Sequence, residues 1–509
     1  MSADASQTEI GIDEARRRSR KGPLLLLIRR ALMLLITLLS TVTVARLVAP
    51  REYGLANMAT VILAFGQVFR DFGMTNAVMR KEQIDRDELS FIFWFNVAAT
   101  LLISAIIVVA APAISDFYNE PAVLWVIEFS VIGFVASGVA LQHVALLNRE
   151  FRFGVVAGVD IFALLIGFIT TLTLAFIRHD VWAIVIGTVV QSVVGSSLFL
   201  YISKWRPDRP KRPENLGDLL KFGANTSIFS ISVFLSSNVS VVAIGHYLGS
   251  ALLGQFNRAQ TLFALPSTNL VQPISQATIP LLRRLRSQPE EYRATYVGLV
   301  RNLCAILTPA AVILAFGGPS IAVWLLGPKW VIAGQILSAL APALAGVGLG
   351  YAIADLFITQ DRSAEMRTLG LFEMVLRVGA VLFGVQFGVI GVAIAFSTAT
   401  LAVVLLRLVV AGRRGPVTAA DQLRAVIPSI PLFLGALLGC VAVMLLTRDR
   451  SLSATILSLI YIAAGSAGTV AVGCCFAGSR QSLLDLARVF GLARAAGALT
   501  KRLRPRSAA

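Results

Sequence analysis

The chain has 509 residues, of which 56% are hydrophobic and only 14% are charged, and its mean hydropathy is +0.78. Soluble domains carry about 25% charged residues, so the composition excludes a soluble globular core of this size. The net charge of +17 is compatible with nucleic-acid binding, but the basic residues fall in alternate short loops between apolar segments. That distribution is the orientation signal of a membrane protein, and no nucleic-acid partner is expected.

The predicted elements begin with a basic N-terminal tail, residues 1–23. The apolar segment that follows is longer than the hydrophobic region of a signal peptide and lacks a small-residue cleavage site, so it is predicted to be the first membrane span. Apolar runs long enough to cross about 30 Å of hydrocarbon recur along the whole chain. Fourteen spans are predicted, at about 24–49, 54–69, 89–111, 122–146, 155–177, 181–203, 223–247, 254–280, 296–317, 331–358, 368–386, 389–411, 426–447 and 453–476.

The charges of the loops predict the orientation. With the N-terminus inside, the cytoplasmic segments hold 37 of the 45 Lys and Arg residues and the outer loops hold six. A bias of this size fits an even number of spans with both termini cytoplasmic. The predicted location is the bacterial inner (plasma) membrane.

A polar interruption divides the spans into two halves. The predicted organisation is an N-terminal six-helix bundle over 24–203, a cytoplasmic linker over 204–222 and a C-terminal six-helix bundle over 223–412. An additional transmembrane pair over 413–477 and a basic tail over 478–509 follow. Apolar residues at helical spacing predict that the tail is an amphipathic helix on the anionic leaflet, with a solvated basic tail as the alternative. The fold class is all-α.

The two halves share a repeat. Aligning 45–65 with 245–265 places Gly54 over Gly254, Asn57 over Asn257, Ala59 over Ala259 and Ala64 over Ala264. Both copies read as an apolar helix, a tight turn at the glycine and a second apolar helix. This pattern indicates a duplicated membrane unit, which is how many transporters are built.

Six motifs in register resemble one family. They are ARLVAPREYG (45–54), DFGMTNAVMRK (71–81), ALLNREFRF (145–153), VWAIV (181–185), GHYLGSALLGQFNRAQTL (245–262) and WLLGPKW (324–330). Over residues 24–412 the chain resembles the polysaccharide flippases of the multidrug/oligosaccharidyl-lipid/polysaccharide superfamily. It departs from the usual pattern at Ala49, where many members carry Ser or Thr, and in its final pair of spans, which only some members have.

The resemblance implies a fold and an activity. The expected fold is two six-helix bundles arranged as a V around a central cavity. The expected activity is movement of oligosaccharide repeat units on undecaprenyl pyrophosphate from the cytoplasmic to the outer leaflet by alternating access, for exopolysaccharide, capsule or O-antigen assembly. The implied partners are this substrate, membrane lipids, a polysaccharide polymerase and a chain-length regulator.

Intramembrane cations are the first candidates for substrate binding, because a charge inside a bilayer costs at least a few kcal/mol. Arg46 and Arg258 lie near the outer ends of spans one and eight, where they either face a shared cavity or snorkel to the interface. Arg377 follows Glu373 by four residues, so it is either a ligand for phosphate or half of a structural ion pair. Asn57, Asn225 and Asn257 are candidates to bind sugar hydroxyls, or to hold helices together.

Three intramembrane acids are candidates for coupling transport to an ion gradient: Glu128, Asp160 and Asp355. For each, a structural hydrogen bond is the alternative. Gating or kinking is expected at Gly54 and Gly254, and at Pro266, Pro273 and Pro280, which recur at seven-residue spacing on nearly one helix face. Each proline removes a backbone hydrogen bond and permits a bend.

The sequence offers no sign of a metal site, a cofactor or an enzyme. The four cysteines lie within apolar segments without metal-ligand spacing, and the loops hold neither an acidic cluster nor a nucleophile–base arrangement. A peptidoglycan-precursor flippase and a cation-coupled drug or metabolite antiporter of the same superfamily stay open as alternative functions.

Overall fold

A computed structural model describes residues 32–71, 86–210, 216–447 and 452–489, with the side chains of 71, 216–230 and 487–489 outside the description. All regular structure in these ranges is helical. The first seven helices are α1 (Leu32–Leu47), α2 (Pro50–Asp71), α3 (Arg86–Tyr118), α4 (Ala122–Arg149), α5 (Phe153–Ile177), α6 (Val181–Ser203) and α7 (Leu216–Leu248).

The remaining helices complete the predicted pattern. They are α8 (Ser250–Pro266), α9 (Gln272–Arg284), α10 (Pro289–Leu326), α11 (Val331–Thr359), α12 (Ser363–Gly384), α13 (Gly388–Ala411), α14 (Ala419–Val426), α15 (Ser429–Thr447), α16 (Ala454–Cys475) and α17 (Ala477–Val489). Within the described ranges every predicted span coincides with a helix, and span eight corresponds to α8 and α9 together. Residues 24–31 of span one lie outside those ranges. Within the described ranges, ten segments are long and apolar enough to cross a membrane. The predicted all-α, multi-span fold is confirmed.

The predicted turn at Gly54 and Gly254 is wrong. Both glycines lie inside helices, each as the fifth residue, in α2 and α8. The chain changes direction earlier, at residues 48–49 and at Gly249, whose φ of +84° suits glycine. The glycines are therefore used for close packing of helices.

The chain forms two compact units, Met1–Gly254 and Gln255–Ala509. In the first unit, α2 packs against α4 and α7, while α6 packs against α4 and α5. Leu147, Val156 and Phe199 lie in one buried apolar cluster of this unit. The bundle and linker boundaries given above stay predictions.

In the second unit, α10 is the central helix. It packs against α11, α15 and α16, and α13 packs against α11 and α12. Small residues bring α15 and α16 together: a Cβ on Gly435 would lie 2.2 Å from the Gly468 carbonyl oxygen, and one on Gly439 would lie 2.2 Å from that of Ala464. Such close backbone approach is how membrane helices gain packing energy without a hydrophobic effect between them.

The start of the C-terminal tail is docked on the second unit. Helix α17 packs against α10 and α16, and Arg301 Nη2 lies 2.7 Å from Asp485 Oδ2. Ser479 donates a hydrogen bond to the Pro428 carbonyl at 2.7 Å. Residues 490–509 lie outside the described ranges, so the membrane association of the tail stays a prediction.

Candidate functional site

The repeated glycines make a reciprocal contact in the first unit. A Cβ on Gly54 would lie 1.8 Å from the Ser250 carbonyl oxygen, and a Cβ on Gly254 would lie 1.8 Å from that of Pro50. Pro50 and Ser250 are themselves equivalent in the repeat, since each begins its helix. The N-terminal turns of α2 and α8 therefore cross with local two-fold symmetry. We call this contact the Gly54–Gly254 crossing.

Glu120, in the turn between α3 and α4, links both helices of the crossing. Its Oε2 accepts a hydrogen bond from Arg51 Nη2 at 2.7 Å, and its Oε1 accepts one from Ser250 Oγ at 2.5 Å. Ser250 is buried and the Glu120 side chain is only 15% exposed. One carboxylate thus ties the first turn of α2 to the first turn of α8.

The same end of the unit holds the start of α6. Glu52 Oε2 accepts a hydrogen bond from the Val181 amide at 2.9 Å, and Asp180 caps the helix by accepting from the Trp182 amide at 3.2 Å. Free amides at a helix start favour such acidic partners. The motifs ARLVAPREYG, VWAIV and GHYLGSALLG therefore meet at one end of the unit.

A further pair of motifs meets in the second unit through Gln255, the residue after Gly254. Gln255 Nε2 donates to the Lys329 carbonyl at 2.7 Å, and Gln255 Oε1 accepts from the Ala333 amide at 2.9 Å. The side chain is nearly fully buried. It anchors α8 to the segment WLLGPKW and the start of α11.

The candidate substrate ligands of the first unit occupy α1, α2 and α7. Arg46 is exposed at the end of α1, and Asn57 is half-buried in α2. Asn57 Nδ2 is buried and has no hydrogen-bond partner among the described residues. Asn225 falls in the part of α7 whose side chains lie outside the description.

Arg258 and Asn257, the candidates in the second unit, contact each other, and Asn257 is the repeat equivalent of Asn57. Arg258 Nη2 donates to Asn257 Oδ1 at 2.8 Å, and both side chains are half-buried. This hydrogen bond helps to orient the guanidinium. Arg46 and Arg258 belong to different units.

Arg377 forms an ion pair with Glu373 at 2.8 Å, as the spacing predicts. The carboxylate also contacts Arg407 of α13, a partner that sequence spacing did not indicate because it comes from another helix. The Arg377 guanidinium lies over the Phe396 ring, 5.0 Å from its centroid.

Among the three acids, Asp355 has the most restricted surroundings. Its side chain is buried, Oδ1 accepts from Ser275 Oγ at 2.8 Å, and Oδ2 has no hydrogen-bond partner among the described residues. A polar chain continues nearby, since Thr359 Oγ1 donates to the Asp355 carbonyl and lies 2.6 Å from Tyr292 Oη. Glu128 and Asp160 are half-buried in α4 and α5.

The proline-bearing span eight contains a π-helical segment, Ser267–Val271, between α8 and α9. Pro266 immediately precedes it, Pro273 begins the next α-helical turn, and Pro280 lies inside α9. π-helical segments are uncommon and are often found at functional sites.

Sequence reasoning missed Glu120, Ser275 and Arg407. Each acts through a partner on a distant part of the chain, so no local spacing could reveal it. Glu120 lies in a short loop, where acidic residues are common. Only the low exposure of its side chain in the structure distinguishes it from an ordinary loop residue. In the described ranges, no three His, Cys, Asp or Glu side chains form a group that could hold a metal ion.

A family model and curated relatives both match this chain to proteins of polysaccharide biosynthesis. A family model described as "Polysaccharide biosynthesis protein" matches residues 43–334. The lipopolysaccharide biosynthesis protein WzxC of Escherichia coli is 25% identical over 362 residues, which cover 70% of this chain and 74% of that protein. The teichuronic acid biosynthesis protein TuaB of Bacillus subtilis is 22% identical, over 54% of this chain and 58% of its own.

Solved structures share the fold. The lipid II flippase MurJ in an inward closed conformation superposes with a TM-score of 0.70 at 16% identity, covering 89% of this chain and 98% of that one. An inward-facing multidrug resistance MATE transporter of the MOP superfamily superposes with a TM-score of 0.55 at 14% identity, covering 77% of this chain and 96% of that one. At these identities the likeness concerns the fold alone.

Proposed function

This chain belongs to the polysaccharide biosynthesis protein family, and on that premise we propose that it is a lipid-linked oligosaccharide flippase rather than an enzyme. Its substrate is an oligosaccharide repeat unit on undecaprenyl pyrophosphate, which it moves from the cytoplasmic to the outer leaflet for exopolysaccharide, capsule or O-antigen biosynthesis. Relatives named for lipopolysaccharide and teichuronic acid biosynthesis support this class of substrate.

The Gly54–Gly254 crossing is the observation that supports alternating access most directly. The starts of α2 and α8 are equivalent in the repeat, and they meet at two glycines with no side chain between them. A small separation of these two helices can therefore open the crossing without rearranging buried side chains. Packed interfaces of this kind have discrete arrangements. In the proposed cycle the crossing is the closed outer gate, and Glu120 holds it.

The proposed orientation places the crossing on the outer side of the inner membrane and both termini in the cytoplasm. The distribution of Lys and Arg among the loops supports it. A polysaccharide polymerase and a chain-length regulator are the proposed partners that receive the translocated product.

Arg46 in the first unit, and Arg258 and Asn257 in the second, are proposed substrate ligands. A guanidinium matches the geometry of phosphate oxygens, and the hydrogen bond to Asn257 helps to orient that of Arg258. Asn57, with its unpartnered Nδ2, is proposed to donate to a sugar hydroxyl.

Asp355 is the proposed coupling group. Its ionised form is costly in a buried site whose carboxylate Oδ2 accepts no hydrogen bond from the described residues. Binding a proton removes that cost, so the occupancy of the site responds to a proton gradient.

The function is tested in a strain that lacks its native flippase. Expression of this chain should restore the lipid-linked repeat unit to the outer leaflet, measured by its accessibility to a membrane-impermeant lectin. If the repeat unit stays cytoplasmic while the chain is expressed, the proposal fails. Rescue of a strain depleted of its peptidoglycan-precursor flippase would instead identify that alternative substrate, and substrate-dependent proton release with small cations would identify an antiporter.

A further inference from the structure

Span eight exposes a surface without large apolar side chains. In residues 255–280, all of which the structure describes, the exposed residues are Gln276, Ala277 and Pro280. Helix α13 differs, since its Leu405 is 60% exposed, as is typical of a helix that contacts lipid chains. The exposed surface of span eight therefore lacks the side chains that contact with hydrocarbon favours.

One face of span eight is packed into the second unit. Phe263, Ser267, Val271 and Ser275 recur every four residues, and all four are buried. Residues at this spacing lie on the same side of a helix. The span is thus held in its unit by this face, and its polar surface belongs to a different face.

Three carboxamide side chains lie on that different face: Asn269, Gln272 and Gln276. They follow each other at spacings of three and four residues, which places them side by side over about 10 Å of the helix axis. Asn269 and Gln272 are half-buried, and Gln276 is exposed. We call these three residues the carboxamide row.

The carboxamide row has hydrogen-bonding capacity that the protein does not use. Asn269 Nδ2 donates to the Leu265 carbonyl at 2.9 Å, and Gln272 Nε2 donates to Tyr351 Oη at 3.3 Å. The side-chain oxygens of Asn269 and Gln272 accept no hydrogen bond from the described residues. Because an amide without a partner is costly in hydrocarbon, this face contacts water or a polar ligand rather than lipid chains.

The ligand that suits the carboxamide row is uncharged. The sequence carries no charged residue between Arg258 and Arg283. Phosphate is bound most strongly by charge-assisted hydrogen bonds, which the row cannot supply. A hydroxyl both donates and accepts hydrogen bonds, and a carboxamide offers an acceptor oxygen and two N–H donors. The row therefore matches the sugar part of a lipid-linked oligosaccharide better than its pyrophosphate.

We propose that the carboxamide row binds hydroxyl groups of the oligosaccharide during translocation. This inference rests on the proposed flippase function and adds which part of the substrate span eight contacts. The amide oxygens of Asn269 and Gln272 accept hydrogen bonds from the sugar, and Gln276 both donates and accepts. Tyr351 helps to orient the Gln272 side chain through its hydrogen bond.

The first experiment measures whether water reaches the carboxamide row. Single cysteines are placed in a full-length background that lacks the four native ones, Cys304, Cys440, Cys474 and Cys475. N-ethylmaleimide labels thiolates, which form in water and not in hydrocarbon. We expect Gln272→Cys and Gln276→Cys to react about tenfold or more faster than Leu405→Cys, the lipid-facing control. Equal rates would place the row against lipid and overturn the proposal.

The second experiment identifies what occupies this face. Labelling of Gln276→Cys is repeated with the lipid-linked repeat unit that accumulates in the strain lacking its native flippase, and with undecaprenyl pyrophosphate, which has the same phosphates but no sugar. We expect the repeat unit to slow labelling several-fold and undecaprenyl pyrophosphate to leave it unchanged. Equal protection by both, or protection by neither, would overturn a role in sugar binding.

The third experiment measures transport of the repeat unit by the lectin assay. Gln272→Leu and Gln276→Leu remove the hydrogen-bonding groups, and we expect each to slow transport roughly tenfold. Because Gln276 is exposed, Gln276→Leu should keep the original unfolding temperature. Gln386→Leu is the matched control, since Gln386 is exposed in the turn between α12 and α13, and it should transport normally.

The transport result also separates this inference from the proposed function. If the original chain moves no repeat unit, the proposed function fails and this inference fails with it. If the original chain moves the repeat unit and both row variants match its rate, only the role of the carboxamide row is overturned. A loss of the same size in Gln386→Leu would likewise overturn that role.

Discussion

At the scale of single residues, the Gly54–Gly254 crossing depends on the absence of two side chains. Neither glycine has a positive φ, so backbone conformation does not require it. What requires glycine is a carbonyl oxygen from the other helix at a distance where no Cβ fits. This distinguishes the pair from Gly249, which is needed for its conformation.

Gly54→Ala and Gly254→Ala should each hold the two helix starts apart. Overpacking a tight contact costs about 1–3 kcal/mol, and here the cost falls on the closed state of the proposed gate. We expect transport to fall at least tenfold while the protein still folds, measured by lipid-linked sugar exposure and by thermal unfolding in detergent. Gly158→Ala is the control, because nothing lies within 4 Å of its Cβ position. Normal transport by both crossing variants would contradict the gating role.

The Glu120 carboxylate carries a charge beside Arg51 and accepts a hydrogen bond from Ser250. Two substitutions at Glu120 separate the loss of the charge from the loss of the acceptor. Glu120→Gln keeps an acceptor for the buried Ser250 hydroxyl, whereas Glu120→Ala leaves that hydroxyl unpaired, at a cost of about 1–3 kcal/mol. We expect Glu120→Ala to have the lower unfolding temperature of the two. Glu150→Gln is a control for loss of an exposed ion pair. Equal unfolding temperatures for the two Glu120 variants would show that Ser250 gains nothing from the contact.

At the scale of elements, span eight combines three prolines with a π-helical segment. Proline removes a backbone donor and a π turn displaces the following residues, so α8 and α9 are joined by a segment with weakened helical hydrogen bonding. Such a segment bends more easily than a regular helix. It connects the crossing at Gly254 to Ser275, the hydrogen-bond donor of Asp355.

Pro273→Ala should make span eight more regular and less able to bend. We expect a nearly unchanged unfolding temperature together with at least a several-fold loss of transport, because Pro273 is the second residue of α9, where a proline costs a helix little. The comparison is Pro112→Ala in α3, an exposed proline inside a long helix. Equal transport by the two variants would mean that the bend serves packing only.

At the scale of the whole molecule, the chain must use an energy source if it is to accumulate substrate on one leaflet. Asp355→Asn keeps the size and an acceptor for Ser275 but cannot bind and release a proton. We expect downhill movement of substrate to persist and acceleration by an imposed proton gradient to disappear in proteoliposomes. Glu128→Gln is the comparison within the same membrane. A gradient response that survives in Asp355→Asn would exclude this residue as the coupling group.

The proposed orientation is also a property of the whole molecule. A reporter fused after Asp180, in the predicted outer loop before α6, should be active as alkaline phosphatase. A reporter fused after Arg212, in the predicted linker, should be fluorescent as a cytoplasmic protein and inactive as a phosphatase. The reverse pattern would place the Gly54–Gly254 crossing on the cytoplasmic side and overturn the gate assignment.

Much of this architecture could be predicted from the sequence because it depends on local, one-dimensional properties. Length and hydropathy determine which segments span a membrane, and each predicted span coincides with a helix, to within a few residues at most ends. The Glu373–Arg377 pair followed from helical spacing alone. Aligning residues 45–65 with 245–265 is enough to pair Gly54 with Gly254.

Only the tertiary structure decided what those residues do. The sequence predicted turns at Gly54 and Gly254, whereas the structure shows a contact between two helices there. Glycine is needed because the carbonyl oxygens of Ser250 and Pro50 occupy the space that a side chain on either glycine would fill. Glu120 and Arg407 gained their roles from partners on other helices. Hydropathy acts along the chain and can be read from it, whereas close approach and charge pairing depend on distances between segments that sequence spacing does not contain.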